Sequence, residues 1–469
     1  MTRHHRLLPL ASAWLVTRAV MLWLLAHDSL PLLGGRVARE VWRLYHHWYV
    51  VLSHGTFPAH DRLWQYPPGA GAVLLAPGLL PGLTYLQAFV VITLAADASV
   101  TAALARTGLR PGHSLLGAGL WVGALPLLLR LPFARYDVQV TVLAMLALLA
   151  LSRSPRVCGA LAALAALVKV WPLLVLVGVA KGRATRSAWT WAAAAGAVVF
   201  ASLAALFHNP LAFLWQQGGR GVQIESLGGT VLNLATRAGW SGRVDYRYGS
   251  MEFTGPYVTT VAHIALALTA LAFGLLVLWR LRARRWTEAT PLDAALSAVL
   301  LFTATSRVIS PQYMVWLLGL AAVCLTSRHT TQRPVAWLIV AATAVSTVVF
   351  PLYYSDVVAS TWTGCALMLV RNGLLATAAV LSFVRLWRSA HADPAEPSAR
   401  TGRPRAGHTA PAGHTAPAGH TAAAGRTDRP WRAGHAESPS SDSAPWISCP
   451  TSPPTRSPSS SSATTTPRM

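Results

Sequence analysis

Ten long apolar runs dominate this chain and decide which solvent it can fold in. They lie near 7–27, 83–105, 114–129, 137–152, 188–207, 257–279, 291–305, 313–326, 335–352 and 363–386. Runs of about 20 apolar residues match the hydrocarbon thickness of a bilayer. With 53% of residues hydrophobic and 12% charged, too little polar surface remains to clothe a soluble domain. The chain reads as an all-α polytopic membrane protein, because each helix satisfies its own backbone hydrogen bonds in lipid. Met1 to Arg6, followed by Leu7 to Ala26, has the charge layout of a signal peptide. No small-residue cleavage pattern follows and the run is long enough to span, so it reads as a retained first helix.

The formal net charge of +23 does not point to nucleic acid, because Lys and Arg sit in short clusters between the apolar runs. Such clusters orient helices by the positive-inside rule. Arg3/Arg6, Arg106/Arg110, Arg153/Arg156, Lys181/Arg183/Arg186, Arg280 to Arg285, Arg328/Arg333 and Arg385/Arg388 are therefore assigned to the cytoplasm, with both termini. This makes the chain a multi-pass protein of the cell membrane. Val157 to Ala180 has basic groups at both ends, so a single crossing would put one cluster outside. A re-entrant pair of short helices turning at Lys169-Val170-Trp171-Pro172 resolves the conflict, since Pro breaks a helix. Segments 291–305 and 313–326 are also short, and the polar turn Arg307 to Tyr313 between them is likewise expected to dip toward the outer face. The outer side then collects 28–66, 130–137, 208–256 and 351–362, with Asp28, Glu40, Asp61, Asp137, Glu225, Asp245, Glu252 and Asp356. A polar chamber open to the outside follows, while Asp97, Glu288 and Asp293 lie elsewhere.

Two features carry little chemistry. Cys158, Cys324, Cys365 and Cys449 show neither CxxC nor Cys/His spacing, and three lie in apolar runs where sulfur packs as a small hydrophobe. No disulfide framework or metal site is indicated. From about Ala390 the composition turns to Pro, Ser, Thr, Gly and His, with an AGHTAP-type repeat across Ala406 to Thr421. Such a segment buries too little apolar area to fold. The domain division is thus 1–389, a membrane domain, and 390–469, a disordered low-complexity tail whose His408, His414 and His420 are read as part of the repeat rather than as ligands.

Within the membrane domain one ordered set of motifs stands out. It comprises Glu40-Val41-x-x-Leu44-Tyr45-x-x-Trp48, Gly55-Thr56-Phe57-Pro58, Asp61, Trp64-Gln65-Tyr66-Pro67-Pro68-Gly69-Ala70, Arg135-Tyr136-Asp137, Lys169-Val170-Trp171-Pro172 and Ser310-Pro311-Gln312-Tyr313-x-x-Trp316-Leu317. The set resembles glycosyltransferase family 87 over roughly 1–388. The resemblance implies a GT-C-like bundle of about 10–12 transmembrane or re-entrant helices with extracytoplasmic loops. It implies an inverting hexosyltransferase, most often a mannosyltransferase, that uses polyprenyl-phosphate-mannose and a glycolipid or glycan acceptor outside the membrane. The base in this class is an acidic residue of the first outer loop. Many members resemble Gly-Asp-Val-x-x-Tyr there, whereas this chain has Glu40 before Val41 and Tyr45.

An acceptor hydroxyl needs a carboxylate to take its proton as it attacks the anomeric carbon. Glu40 is the first candidate and Asp61 the second. The leaving phosphate needs no metal where cationic donors are aimed at it, and Arg135, Lys169 and Arg307 are the candidates. Tyr45, Tyr66, Gln312 and Tyr313 complete the expected substrate contacts. No cofactor is implied, the lipid-linked sugar being a substrate, although a divalent cation is compatible with the same carboxylates. Simpler roles compete: Asp61 as a turn residue, Lys169 and Arg307 as snorkelling anchors, Asp137 as a helix cap, and Trp42, Trp48, Trp64, Tyr45 and Tyr66 as an interfacial belt. A transporter or lipid-linked sugar flippase would use similar intramembrane charges, but the chain lacks paired broken helices in matching halves and its outer loops are long. A non-catalytic scaffold gives no reason for Lys169 and Arg307 to stand at helix breaks.

Overall fold

The computed structural model describes residues 3–28, 37–215 and 219–391. All lie in Met1–Ser398, the first of two units into which the chain divides. The repeat and histidines of the tail, from residue 392 on, lie outside the described residues.

The helices are α1 (Arg3–Ala26), α2 (His46–Ser53), α3 (Gly69–Leu75), α4 (Tyr85–Gly108), α5 (Leu116–Ala124), α6 (Asp137–Leu151), α7 (Pro155–Val168) and α8 (Arg183–Leu206). They continue with α9 (Ala212–Trp215), α10 (Leu227–Arg237), α11 (Val258–Arg282), α12 (Thr290–Thr305), α13 (Tyr313–Cys324), α14 (Arg333–Thr347), α15 (Tyr354–Val358) and α16 (Trp362–His391). Among the described residues, six helices are long and apolar enough to cross a membrane, beginning at Leu7, Tyr85, Arg183, Val258, Arg333 and Trp362. The expected apolar runs all appear as helices, six as full crossings and the rest as shorter pieces.

Local chemistry sets these boundaries. Thr84 and Gln87 form a reciprocal capping box at the start of α4, and Ser154 accepts from Val157 N–H to start α7 with Pro155 at its first position. At its other end α7 stops at Lys169, which is extended, and Pro172 directs the chain into a short 3-10 stretch, Trp171–Gly178. The 14 residues of α7 span only about 21 Å, less than the roughly 30 Å hydrocarbon core. The chain then returns to the end it came from, where Arg280 donates to the Val177 and Val179 carbonyls and Trp286 to that of Gly178. The pair α12 and α13 repeats the plan: they break at 306–312, and Thr326 C=O then accepts from Ser114 N–H beside the start of α12. Two V-shaped insertions result, each with its tip at the same end of the bundle.

Buried charge ties α1 to this bundle. Arg18 forms a two-bond pair with Asp97, at 2.9 Å for both Nε and Nη2, and Trp14 and Trp121 donate to the same carboxylate at 2.6 and 2.7 Å. All four donors saturate a group that lipid could not solvate. Close packing does the rest. A Cβ on Gly159 would lie 1.9 Å from the Ala188 carbonyl, so only glycine lets α7 approach α8 this closely.

The long segment 208–256 adds what the apolar runs did not reveal, a small antiparallel sheet. Its strands are β1 (Val222–Gln223), β2 (Arg243–Arg247) and β3 (Ser250–Thr254), in the order β1-β3-β2, with Phe253 opposite both Val222 and Val244. Tyr248-Gly249 makes the hairpin turn with positive φ at both residues. Val222, Ile224 and Phe253 pack with Leu232 of α10 and Met368 of α16, which docks the sheet on the bundle.

Candidate active site

Residues from the loops at this end of the bundle enclose a cavity of about 470 Å3. Its first wall is built around Glu40. The Asp28 carboxylate accepts from the Val37 and Ala38 N–H groups at 3.1 and 2.8 Å and pairs with Arg130, fixing the chain where it enters Glu40–Tyr45. That stretch is π-helical, a local over-wide turn often found at functional sites because it re-aims side chains. Glu40 lines the cavity with its side chain 31% exposed, and Oε2 lies 3.7 Å from Arg135 Nη2. Arg135 is itself held, since Nη1 donates to the Ala134 carbonyl at 2.7 Å.

The second wall comes from the two V tips. Lys169 Nζ lies 2.6 Å from Asp137 Oδ1, which also accepts from Trp316 Nε1 at 2.7 Å. The Tyr136, Tyr313 and Trp316 rings surround the ammonium at 4.9, 5.7 and 5.1 Å. Carboxylate and ring faces together offset the cost of keeping this cation away from bulk water. Trp171 of one tip stacks on Trp316 of the other at 5.0 Å, so the tips brace each other. Gly69 permits the approach of the Tyr66-Pro67-Pro68 turn, because a Cβ there would meet the Leu167 backbone at 2.7 Å. Burial pushes the Tyr66 hydroxyl well up, and Glu40 and Asp137 push it further, so it stays a protonated donor.

The third wall is the sheet and its approach. Arg220 Nε lies 3.4 Å from Glu252 Oε1, and the other oxygen of Glu252 accepts from Gly221 N–H at 3.0 Å. Gln223 joins sheet to helix break: its N–H donates to the Arg307 carbonyl at 3.1 Å and its Oε1 accepts from Ile309 N–H at 2.7 Å. Glu225 faces the same cavity from a buried position, its Oε2 3.4 Å from Arg371 Nη2 and its carbonyl bonded by Arg371 and Asn372. Burial pushes its carboxyl up to about 7 against the pull of Arg371.

Of the residues singled out in the sequence, Glu40, Tyr66, Arg135, Lys169, Gln312 and Tyr313 line this one cavity. The other three do not. Asp61 is occupied elsewhere, accepting from Trp48 Nε1 at 2.7 Å and Leu63 N–H at 2.8 Å. Tyr45 is buried, packed on Trp48, Phe89 and Tyr136. Arg307 sits beside the cavity through its backbone. Asp137, expected as a helix cap, is the first helical residue of α6, after the N-cap Tyr136, and is the buried partner of Lys169. Trp48 and Trp64, expected in an interfacial belt, are core residues fully removed from solvent. Arg220 and Gln223 were not anticipated, and Glu225 only as one of the outer-side carboxylates, because they lie in a long loop without a local motif and only the sheet brings them to the cavity. Among the described residues no group of three or more His, Cys, Asp and Glu is arranged to hold a metal ion.

The partly exposed Glu40 carboxylate thus stands beside Arg135 and shares one cavity with Lys169 and Arg220, an arrangement able to bind an anionic group and accept a proton beside it. No curated protein and no solved structure matches the chain. The profile of glycosyltransferase family 87 does match, over residues 64–311, a range that contains Tyr66, Arg135, Lys169, Arg220 and Glu225 and begins after Glu40. With more than half of its length inside that match, this chain belongs to glycosyltransferase family 87 and is a membrane glycosyltransferase.

Proposed function

We propose that the enzyme moves a hexose, mannose in the first instance, from a polyprenyl-phosphate donor to a glycolipid or glycan acceptor outside the membrane, with inversion. The observation that carries this reading is the gathering of Glu40, Arg135, Lys169 and Arg220 around one cavity whose lining is otherwise rich in aromatic and aliphatic side chains. An apolar wall suits a lipid-linked donor and a cationic one suits its phosphate. Glu40 takes the acceptor proton as the hydroxyl oxygen attacks the anomeric carbon, the bond from that carbon to the phosphate oxygen breaks, and polyprenyl phosphate leaves. Arg135 and Arg220 meet the charge that develops on the phosphate, and Lys169 adds to the same field. The site faces outward, with the basic loops and both termini in the cytoplasm, which follows from the positive-inside assignment of Arg110, Lys181, Arg280 and Arg328 at the other end of the helices.

The test is transfer of radiolabelled mannose from polyprenyl-phosphate-mannose to lipid and glycan acceptors by the full chain in liposomes. Label incorporated into acceptor is the expected result. No incorporation across a broad acceptor set, with the donor intact, would overturn the donor assignment.

A further inference from the structure

A second, more open recess of about 430 Å3 adjoins the cavity. The two share Glu40, Leu44, Leu63, Arg135 and Phe350, so the Glu40 carboxylate and the Arg135 guanidinium stand on the divide between them. A base that deprotonates one substrate while the other is attacked must touch both, and a divide is the place for it. With the donor in the cavity, the recess receives the acceptor.

Its own lining says what that acceptor carries. Beyond the shared residues it adds Val37, Arg39, Arg43 and Tyr246. Arg39, Arg43 and Arg135 thus face one recess in which Glu40 is the single carboxylate among the lining residues. Nearby acidic groups are engaged elsewhere: Asp245 with Arg243 and Arg247, Glu252 with Arg220, Asp61 with Trp48. Arg39 and Arg43 are exposed where they line this recess, and Arg43 also lies over the neighbouring Trp42 ring at 5.0 Å. Guanidinium forks match phosphate and carboxylate oxygens in pairs. Resting on the transferase reading above, we infer that this recess is an acceptor subsite built for an oxyanion, and that the natural acceptor is a glycolipid or glycan bearing a phosphodiester or carboxylate beside the sugar to be extended.

The experiment measures binding first and transfer second, on the full chain in nanodiscs. The probes are three short alkyl mannosides, one neutral, one with a phosphodiester and one with a carboxylate next to the sugar. Wild type is expected to bind at least one anionic probe about 10-fold or more tighter than the neutral one, the scale of one or two charge-assisted hydrogen bonds. Arg39→Gln/Arg43→Gln should erase that preference while leaving the Kd for polyprenyl-phosphate-mannose unchanged, and Arg39→Lys/Arg43→Lys should keep part of it. Which anionic probe is preferred identifies the oxyanion. Equal affinity for all three probes in wild type, or an undiminished preference in the double Gln variant, would overturn the inference. A wild type that shows the preference but transfers to none of the probes would support the subsite and count against the transferase reading instead.

Discussion

Two carboxylates face the same cavity from different surroundings. Glu40 is partly solvated and beside Arg135, whereas Glu225 is buried and its carboxyl is pushed up to about 7. Because the folded-state value lies above that of an unfolded glutamate, the native state holds the extra proton between about pH 4.5 and 7. The stability this adds is complete below the lower value and fades as pH rises through the upper one. Thermal midpoints in detergent should therefore fall from pH 5.5 to pH 8 more steeply for wild type than for Glu225→Gln, which has no such proton to lose. A wild-type profile as flat as the variant's would contradict the assignment. At this scale the sequence was legible wherever a residue stands next to a chain break: Lys169 and Tyr313 adjoin Pro172 and Pro311, and such positions announce irregular backbone. Tyr45 and Asp61 lie outside the cavity lining, and the sequence does not show this because burial is a property of their neighbours. Nothing in Glu40 to Trp64 separates a tyrosine packed on Phe89 from one open to a cavity.

Among elements, α1 is the least buried of the crossings together with α8, and it needs a specific tie. The Arg18–Asp97 pair with Trp14 and Trp121 supplies it, joining α1 to α4 and α5. Asp97→Asn would leave Arg18 buried without its counter-charge, at a cost of about 3–5 kcal/mol. A thermal midpoint in detergent lowered by several degrees is the expected outcome, and an unchanged midpoint would show that the tie contributes nothing. The apolar runs revealed all the long helices and both V-shaped insertions, since hydropathy, Pro and flanking charge act locally. They concealed the sheet. Strand β1 has two residues, β2 reads Arg-Val-Asp-Tyr-Arg, and pairing partners 30 residues apart leave no periodic signature. Arg220 and Gln223 reach the cavity through that sheet, and so they too were illegible.

For the whole molecule, the cavity is a product of topology. The π-helical turn at Glu40, the two V tips and the sheet come from segments spread between residues 40 and 316, and the bundle brings them to one end. The account's central claim is that Glu40, on the divide of two substrate recesses, removes the acceptor proton. The direct measurement is the rate of mannosyl transfer from polyprenyl-phosphate-mannose by Glu40→Gln against wild type, in liposomes, with thermal midpoints showing equal folding. The amide keeps the shape of the side chain and removes its basic electron pair. Loss of transfer by about 10²- to 10⁴-fold with donor binding retained is the predicted result. Wild-type turnover in Glu40→Gln would contradict it.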